Sequence, residues 1–307
     1  MRQAGQPWLY RCPKCRTQAS TLPVDIDGKG STCIDEVLRE RGLETLRRAN
    51  NRRVVARLLD RGVRPGGTVL DVGCAHGWFL EEAGTHGLEA IGIEPDRRIA
   101  EIARTHGRSI RSGYFPDALV TGETFDAIVF NDVIEHLPDP RSAVEACRAH
   151  LASGGLLSLN LPTRSGLIYR CASAMARLRI RGPHHRLWQV GMPSPHLWYF
   201  DRAGIISLCE HAGLQFVASA PLDTVERSGL WARVTMSGVQ VGSLLAATTG
   251  GLAAPLLNRG RCSDIMHVIC QTPDGDLPTV ARSPRQLSQQ LAASTNVTTS
   301  NKGVPSS

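Results

Sequence analysis

The sequence predicts an α/β protein built around a doubly wound, mostly parallel sheet, and three observations carry that expectation. Between about Val69 and Ala220, short apolar runs alternate with helix-length stretches, the pattern of βαβ units feeding one sheet. The first of those runs ends at Asp71 and passes through a turn containing Gly73 and Gly77 before a helix begins. Finally, 307 residues with 42% hydrophobic and 21% charged side chains match an ordinary globular composition, enough for a sizeable core in one large domain with appendages. Collagen-like, disulfide-dense and polytopic membrane classes are excluded on the same ground.

In chain order, residues 1–40 form a polar arm with one C-x-x-C, Cys12-Pro-Lys-Cys15, which reads as half of a zinc ribbon. A structural zinc site takes four ligands, usually two such pairs. Only Cys33 follows nearby and no His precedes His76, so the arm is expected to be a degenerate ribbon whose metal content stays open. A lead-in without a secretory apolar run points to the cytoplasm, with cysteines as thiols or metal ligands. The main domain is expected over 41–237 and begins with a basic helix, Leu43 to Asp60, whose Leu43, Leu46, Val54, Leu58 and Leu59 recur near helical spacing. Strands are expected at 68–73, 89–94, 125–132, 155–162 and 214–220, with a short one around 108–111. Helices closed by glycine fill the two gaps that begin at Trp78 and Pro140.

An insertion at 163–199 is rich in Arg and His, and no carboxylate occurs from Ala146 to Phe200. Its Leu167, Cys171, Met175 and Leu178 recur at helical spacing, which predicts a basic amphipathic helix able to lie on an anionic membrane or cover an acidic substrate. Residues 238–258 are an apolar insertion that approaches a span of roughly 20 residues. Thr, paired Gly and Pro weaken it, and a span would tear the last strand, 259–271, from the sheet, so a buried or surface-lying segment is expected, with peripheral membrane contact as the alternative. The Pro/Ser/Thr/Gln-rich residues 272–307 read as a disordered tail. Cys74, Cys147, Cys171, Cys209, Cys262 and Cys270 show no ligand spacing and read as small buried residues.

The chemistry lies in Val69-Leu-Asp-Val-Gly-Cys-Ala-His-Gly-Trp-Phe-Leu80. A dinucleotide fingerprint needs G-x-G-x-x-G, whereas counting from Gly73 this chain has Ala75 and Trp78 at the second and third glycine positions. What the segment resembles is the first motif of class I S-adenosylmethionine-dependent methyltransferases, with Asp71, Gly73 and Gly77 matching and Ala75 in place of the middle glycine. Glu94, about 20 residues past the turn at the end of the next apolar run, matches the family's ribose-binding acid. Phe125-Asp-Ala-Ile, then Asn131, then Glu135-His136-Leu-Pro-Asp139-Pro resemble the fourth strand and turn of the subgroup acting on small molecules, quinones and sugars. Leu151-Ala-Ser-Gly154-Gly155 resembles the turn before the fifth strand, and Pro195-His196-Leu-Trp-Tyr-Phe200 the segment that helps build the acceptor pocket.

The resemblance implies a Rossmann-like, seven-stranded mixed sheet with its last strand antiparallel. It implies S-adenosyl-L-methionine as cofactor, held by Asp71, Gly73, Ala75, Gly77, Glu94 and Asn131, and His136 and His196 as candidates near the transferred methyl. The acid that the family often carries after the third strand is not evident, and Tyr114 or Phe115 is the candidate to stack on the base. The expected reaction is SN2 methyl transfer to an oxygen, less readily a nitrogen, of a small or lipid-linked acceptor such as a saccharide or quinone-like molecule. An RNA methyltransferase and a non-catalytic binding module are the rivals; no N-P-P-Y-type tetrapeptide follows the fourth strand, which counts against nucleic acid.

The formal charge of +7 is unevenly placed: residues 1–60 carry 12 basic against 7 acidic side chains, residues 61–160 carry 9 against 14, and residues 161–237 carry 9 against 4. An acidic cofactor half flanked by basic arms points to an anionic acceptor or surface met on one side.

Overall fold

The computed structural model describes residues 1–25, 36–224, 255, 257, 258 and 260–273. Three short strands open the chain, β1 (Arg2–Gln3), β2 (Leu9–Arg11) and β3 (Gln18–Ser20), followed by helix α1 (Glu36–Asp60). Then come β4 (Thr68–Val72), α2 (Trp78–Thr85), β5 (Glu89–Glu94), α3 (Arg97–Thr105), β6 (Ile110–Ser112) and β7 (Phe125–Asn131). A single 3-10 turn at Ile134–His136 leads into α4 (Pro140–His150) and the long β8 (Leu151–Pro162). The last part holds α5 (Leu167–Arg177), α6 (Gly182–Leu187), β9 (Trp198–Tyr199), α7 (Arg202–His211), β10 (Gln215–Leu222) and β11 (Ile265–Gln271).

The central sheet has the order β10-β11-β8-β7-β4-β5-β6, with β11 antiparallel to both neighbours and the remaining pairs parallel. This is the seven-stranded mixed sheet the sequence predicts. Both faces are covered, so its strands are apolar on both sides. Successive residues alternate between layers: Val69 and Val129 pack with Val54, Val55 and Leu58 of α1 and Phe79 of α2, while Leu70 and Ile128 pack with Val144 of α4 and Ile205 of α7. Strand order reverses between β4 and β7, and open α/β sheets bind ligands in the crevice at such a reversal, beyond the strands' C-terminal ends.

Helix starts are written locally. Asp96 accepts from the backbone N–H of Arg98 and Ile99, Asp139 from Arg141 and Ser142, and Asp201 from Gly204, each satisfying N–H groups that a helix leaves unpaired. Pro140 in the first turn of α4 costs nothing there, because that N–H is unpaired in any helix.

Several element expectations shift. Helix α1 starts at Glu36 rather than Leu43, β8 starts four residues earlier than the predicted 155, and the last strand runs Ile265–Gln271 after a 3-10 turn at Gly260–Cys262. The arm forms a second, antiparallel sheet β1-β2-β3-β9, pairing Gln18 with Tyr199 and Ala19 with Trp198 of the 163–199 insertion. Apolar burial drives this: Leu9, Tyr169, Trp188 and Tyr199 form their own cluster. The predicted amphipathic face of the insertion is corrected. It is two helices, and α5 buries Tyr169 and Ala172 instead. Leu178 is 75% exposed, Met175 36%, and Cys171 is exposed rather than buried. Cys74, Cys147, Cys209 and Cys270 are buried as expected, and Cys262 only partly so. Most of 238–258, all of 274–307 and Cys33 lie outside the described residues. No described helix is long and apolar enough to cross a membrane.

Candidate active site

The turn after β4 sits at the strand-order reversal. Gly73, Ala75 and Gly77 all have left-handed backbone, with φ of 70°, 45° and 73°. A Cβ on Gly73 would lie 2.6 Å from Cγ2 of Val133, so this position excludes any other side chain on conformation and on space. Ala75 accepts the left-handed conformation against its preference, which explains why glycine is the natural occupant of a turn with this shape.

Asp71 closes this turn from below. It is buried, and its Oδ1 accepts from Nδ2 of Asn131 at the end of β7, 3.1 Å away. Burial pushes its carboxyl up to about 8; the amide bond opposes this and the nearby Glu94 carboxylate adds to it. A buried acid in that condition is a receptor for a cation. Glu94, also buried, ends β5 with its two oxygens accepting from the backbone N–H of Ala75 and of Asp96, each at 2.9 Å. Those bonds aim the carboxylate along the glycine turn. Asp71, Gly73, Ala75, Gly77, Glu94 and Asn131 are thus brought together. For a ligand with an ammonium group and vicinal hydroxyls, the buried carboxyl, the cradle without Cβ and the second carboxylate are the matching groups.

Directly after β7, Val133 packs over Gly73 and the 3-10 turn presents Glu135 and His136. His136 Nδ1 donates to the Pro195 carbonyl at 3.0 Å, so in the singly protonated ring Nε2 is the acceptor nitrogen. The His196 ring meets it at 4.7 Å, edge to face, and its Nε2 accepts from Gln189 Nε2 at 2.9 Å. Glu135 is 1% exposed and its Oε2 has no hydrogen-bond partner among the described residues. Burial, reinforced by Asp132, holds its carboxyl well above the usual carboxylate range. Donor atoms of Glu135, His136 and His196 lie within 4.8 Å of one another. Such a set can take a proton from a hydroxyl or coordinate a divalent cation.

Sequence reasoning passed over Glu135, although its place in the E-H pair was visible. It also missed the lid on the glycine turn: Arg48 of α1 lies 5.7 Å over the Trp78 ring and bonds Glu44 and Glu81, and Arg108 pairs with the same Glu81. Contacts across 33 residues leave no local signal. Of the two candidate stacking rings, Phe115 is taken up by Phe130 at 5.6 Å, while Tyr114 is 49% exposed. Cys12 is partly buried and Cys15 exposed, and neither belongs to a three-residue ligand group among the described residues.

The chain is similar to known proteins in sequence and in fold. A family described as a methyltransferase domain matches residues 43–219, more than half of the chain. A protein named ubiquinone biosynthesis O-methyltransferase from Hahella chejuensis is 28% identical over 170 residues, covering 51% of this chain and 70% of that protein. One of the same name from Xanthomonas oryzae pv. oryzae is 33% identical over 131 residues, covering 39% of this chain and 55% of its own length. Among solved structures, a chain from the complex of the Haloferax volcanii Trm112 methyltransferase activator with a methyltransferase has a TM-score of 0.56 at 16% identity, covering 78% of this chain and 97% of that one. Magnesium protoporphyrin IX methyltransferase from Synechocystis PCC 6803, solved with bound SAH, has a TM-score of 0.51 at 12% identity, covering 80% and 90%. At these identities the structures speak for the fold alone, whereas the domain match and the motif turn speak for descent: the chain belongs to the class I S-adenosylmethionine-dependent methyltransferase family.

Proposed function

We propose that this protein transfers a methyl group from S-adenosylmethionine to a hydroxyl oxygen of a small or lipid-linked acceptor, of the saccharide or quinone-like class. The observation that carries the reading is the contact of Val133 with the Gly73 turn, which brings the segment that holds Glu135 and His136 against the turn that follows Asp71. When bound, the cofactor supplies an electrophilic sulfonium methyl, so the protein's work is positioning and, for a hydroxyl, removal of a proton.

In this reading Asp71 pairs with the cofactor's ammonium and Glu94 accepts from the ribose hydroxyls. Asn131 fixes the Asp71 carboxylate through its 3.1 Å bond. His136, held as the Nδ1–H tautomer by the Pro195 carbonyl, offers Nε2 to the acceptor hydroxyl. His196 borders it, and Glu135 stabilises positive charge on either ring once it ionises. The names of the curated relatives support a quinone-like acceptor, and the exposed Leu178 and Ile180 beside the arginines of α5 support peripheral contact with a membrane that holds one.

The test is transfer of labelled methyl from S-adenosylmethionine to catechol-type phenols, glycans and RNA offered in parallel. The expected product is an O-methyl phenol or sugar, with His136→Ala and His196→Ala each slowing transfer by about 10²–10⁴-fold. Label found in RNA alone would overturn the acceptor class, and label in no acceptor would favour a binding module.

A further inference from the structure

Between the β2–β3 hairpin and α5 lies a cavity of about 440 Å³ whose lining includes Arg11, Gln18, Arg164, Tyr169, Arg170 and Arg177. Four arginines line it. The carboxylate set against them is Asp201, whose Oδ2 accepts from Arg164 at 3.0 Å. Arg11, Arg170 and Arg177 make no ion pair among the described residues, and the sequence supplies no acid from Ala146 to Phe200. The Nε of Arg164 is buried without a hydrogen-bond partner among the described residues, a donor aimed at something the chain does not provide. The wall is built rather than incidental, because the Tyr169 hydroxyl donates to Gln18 of β3 and so ties hairpin to helix.

We propose that this cavity is a binding site for a phosphoryl group, and for a diphosphate in particular. Among the described residues, four cations against one carboxylate leave an excess of three, which a lone carboxylate ligand does not balance and a diphosphate does. Planar guanidiniums bind phosphate oxygens in pairs, which suits arginine rather than lysine at each position. The Tyr169 ring meets Tyr199 at 4.4 Å, and Tyr199 meets His196 at 5.3 Å, so two ring contacts link the cavity to the proposed acceptor site. A phosphorylated acceptor would be anchored here with its hydroxyl at the histidines; that extension rests on the proposed transfer reaction, while the phosphoryl site does not.

The experiment is calorimetric titration of the full chain with inorganic pyrophosphate, with S-adenosylhomocysteine titrated separately. Pyrophosphate is expected to bind, to weaken as salt rises, and to lose at least about tenfold in affinity in Arg170→Ala/Arg177→Ala. Both arginines are exposed, so the fold should survive, and the exposed pair Arg61→Ala/Arg64→Ala should bind like wild type. Phosphatidylcholine vesicles with and without phosphatidic acid identify the source: binding only to the acidic vesicles, lost in the Arg170/Arg177 variant, assigns the phosphoryl group to a lipid headgroup, whereas pyrophosphate binding assigns it to a soluble ligand. No binding to either probe, or binding unchanged in that variant, overturns the site. Failure of S-adenosylhomocysteine to bind would overturn the cofactor reading and leave the pyrophosphate result intact.

Discussion

At the scale of single residues, Asp71 and Ala75 show what the proposed cofactor site costs in stability. Asp71 takes up its proton near pH 8 in the fold but near 3.8 when unfolded. Its folded form therefore holds a proton that the unfolded chain has released, and stability of the protein without cofactor declines as pH rises from about 4 to 8. Buried His267, bridging Arg57 and Ser158 and depressed to about 3 by burial, has the opposite sign: its stabilisation is complete above about 6.5 and is lost as pH falls toward 3. Between pH 6.5 and 8 the Asp71 slope therefore stands clear of it. Asp71→Asn should flatten that slope by up to about 1.4 kcal/mol per pH unit and raise the melting temperature at pH 8. Melting curves across pH would show a parallel, unflattened slope if Asp71 were solvated instead. The Ala75 backbone at φ 45° makes a second forecast. Ala75→Gly should cost no stability and gain up to about 1 kcal/mol, whereas the β-branched Ala75→Val should lose at least about 1 kcal/mol and weaken cofactor binding. Equal melting temperatures for the two variants would contradict this.

At the scale of elements, the strands and helices that carry the proposed cofactor site were legible because their signals are local. The apolar runs ending at Asp71, Glu94 and Asn131, and the caps at Asp96, Asp139 and Asp201, each declare themselves within a few residues. What escaped is long-range. Pairing of Gln18 and Ala19 with Tyr199 and Trp198 spans some 180 residues, and nothing in a C-x-x-C arm announces that its hairpin will extend a two-residue strand. The helical spacing of Leu167, Cys171, Met175 and Leu178 misled because Tyr169, pulled inward by Tyr199 and Trp188, sets the rotation of α5. Trp188, fully buried and 4.8 Å from the Tyr199 ring, is the pin of this assembly. Trp188→Ala should cost about 3–5 kcal/mol and expose the hairpin amides to exchange. If hydrogen exchange of residues 9–20 were unchanged, the hairpin would not depend on that cluster.

At the scale of the whole molecule, charge and topology divide the labour. The strand-order reversal and the acidic stretch 61–160 carry the cradle proposed for a cationic cofactor, while the sequence concentrates basic charge in residues 1–60 and 161–237. Of the claims made for that crevice, the cofactor cradle is central, since every assignment of acceptor chemistry depends on it. Titration of S-adenosylhomocysteine into the purified protein, followed by calorimetry on wild type and Asp71→Ala, tests it most directly. One-to-one binding at about micromolar affinity is expected, reduced at least about tenfold by the substitution, because removing one partner of a buried ion pair costs a few kcal/mol. Absence of binding by the folded protein, or undiminished binding by Asp71→Ala, would contradict it.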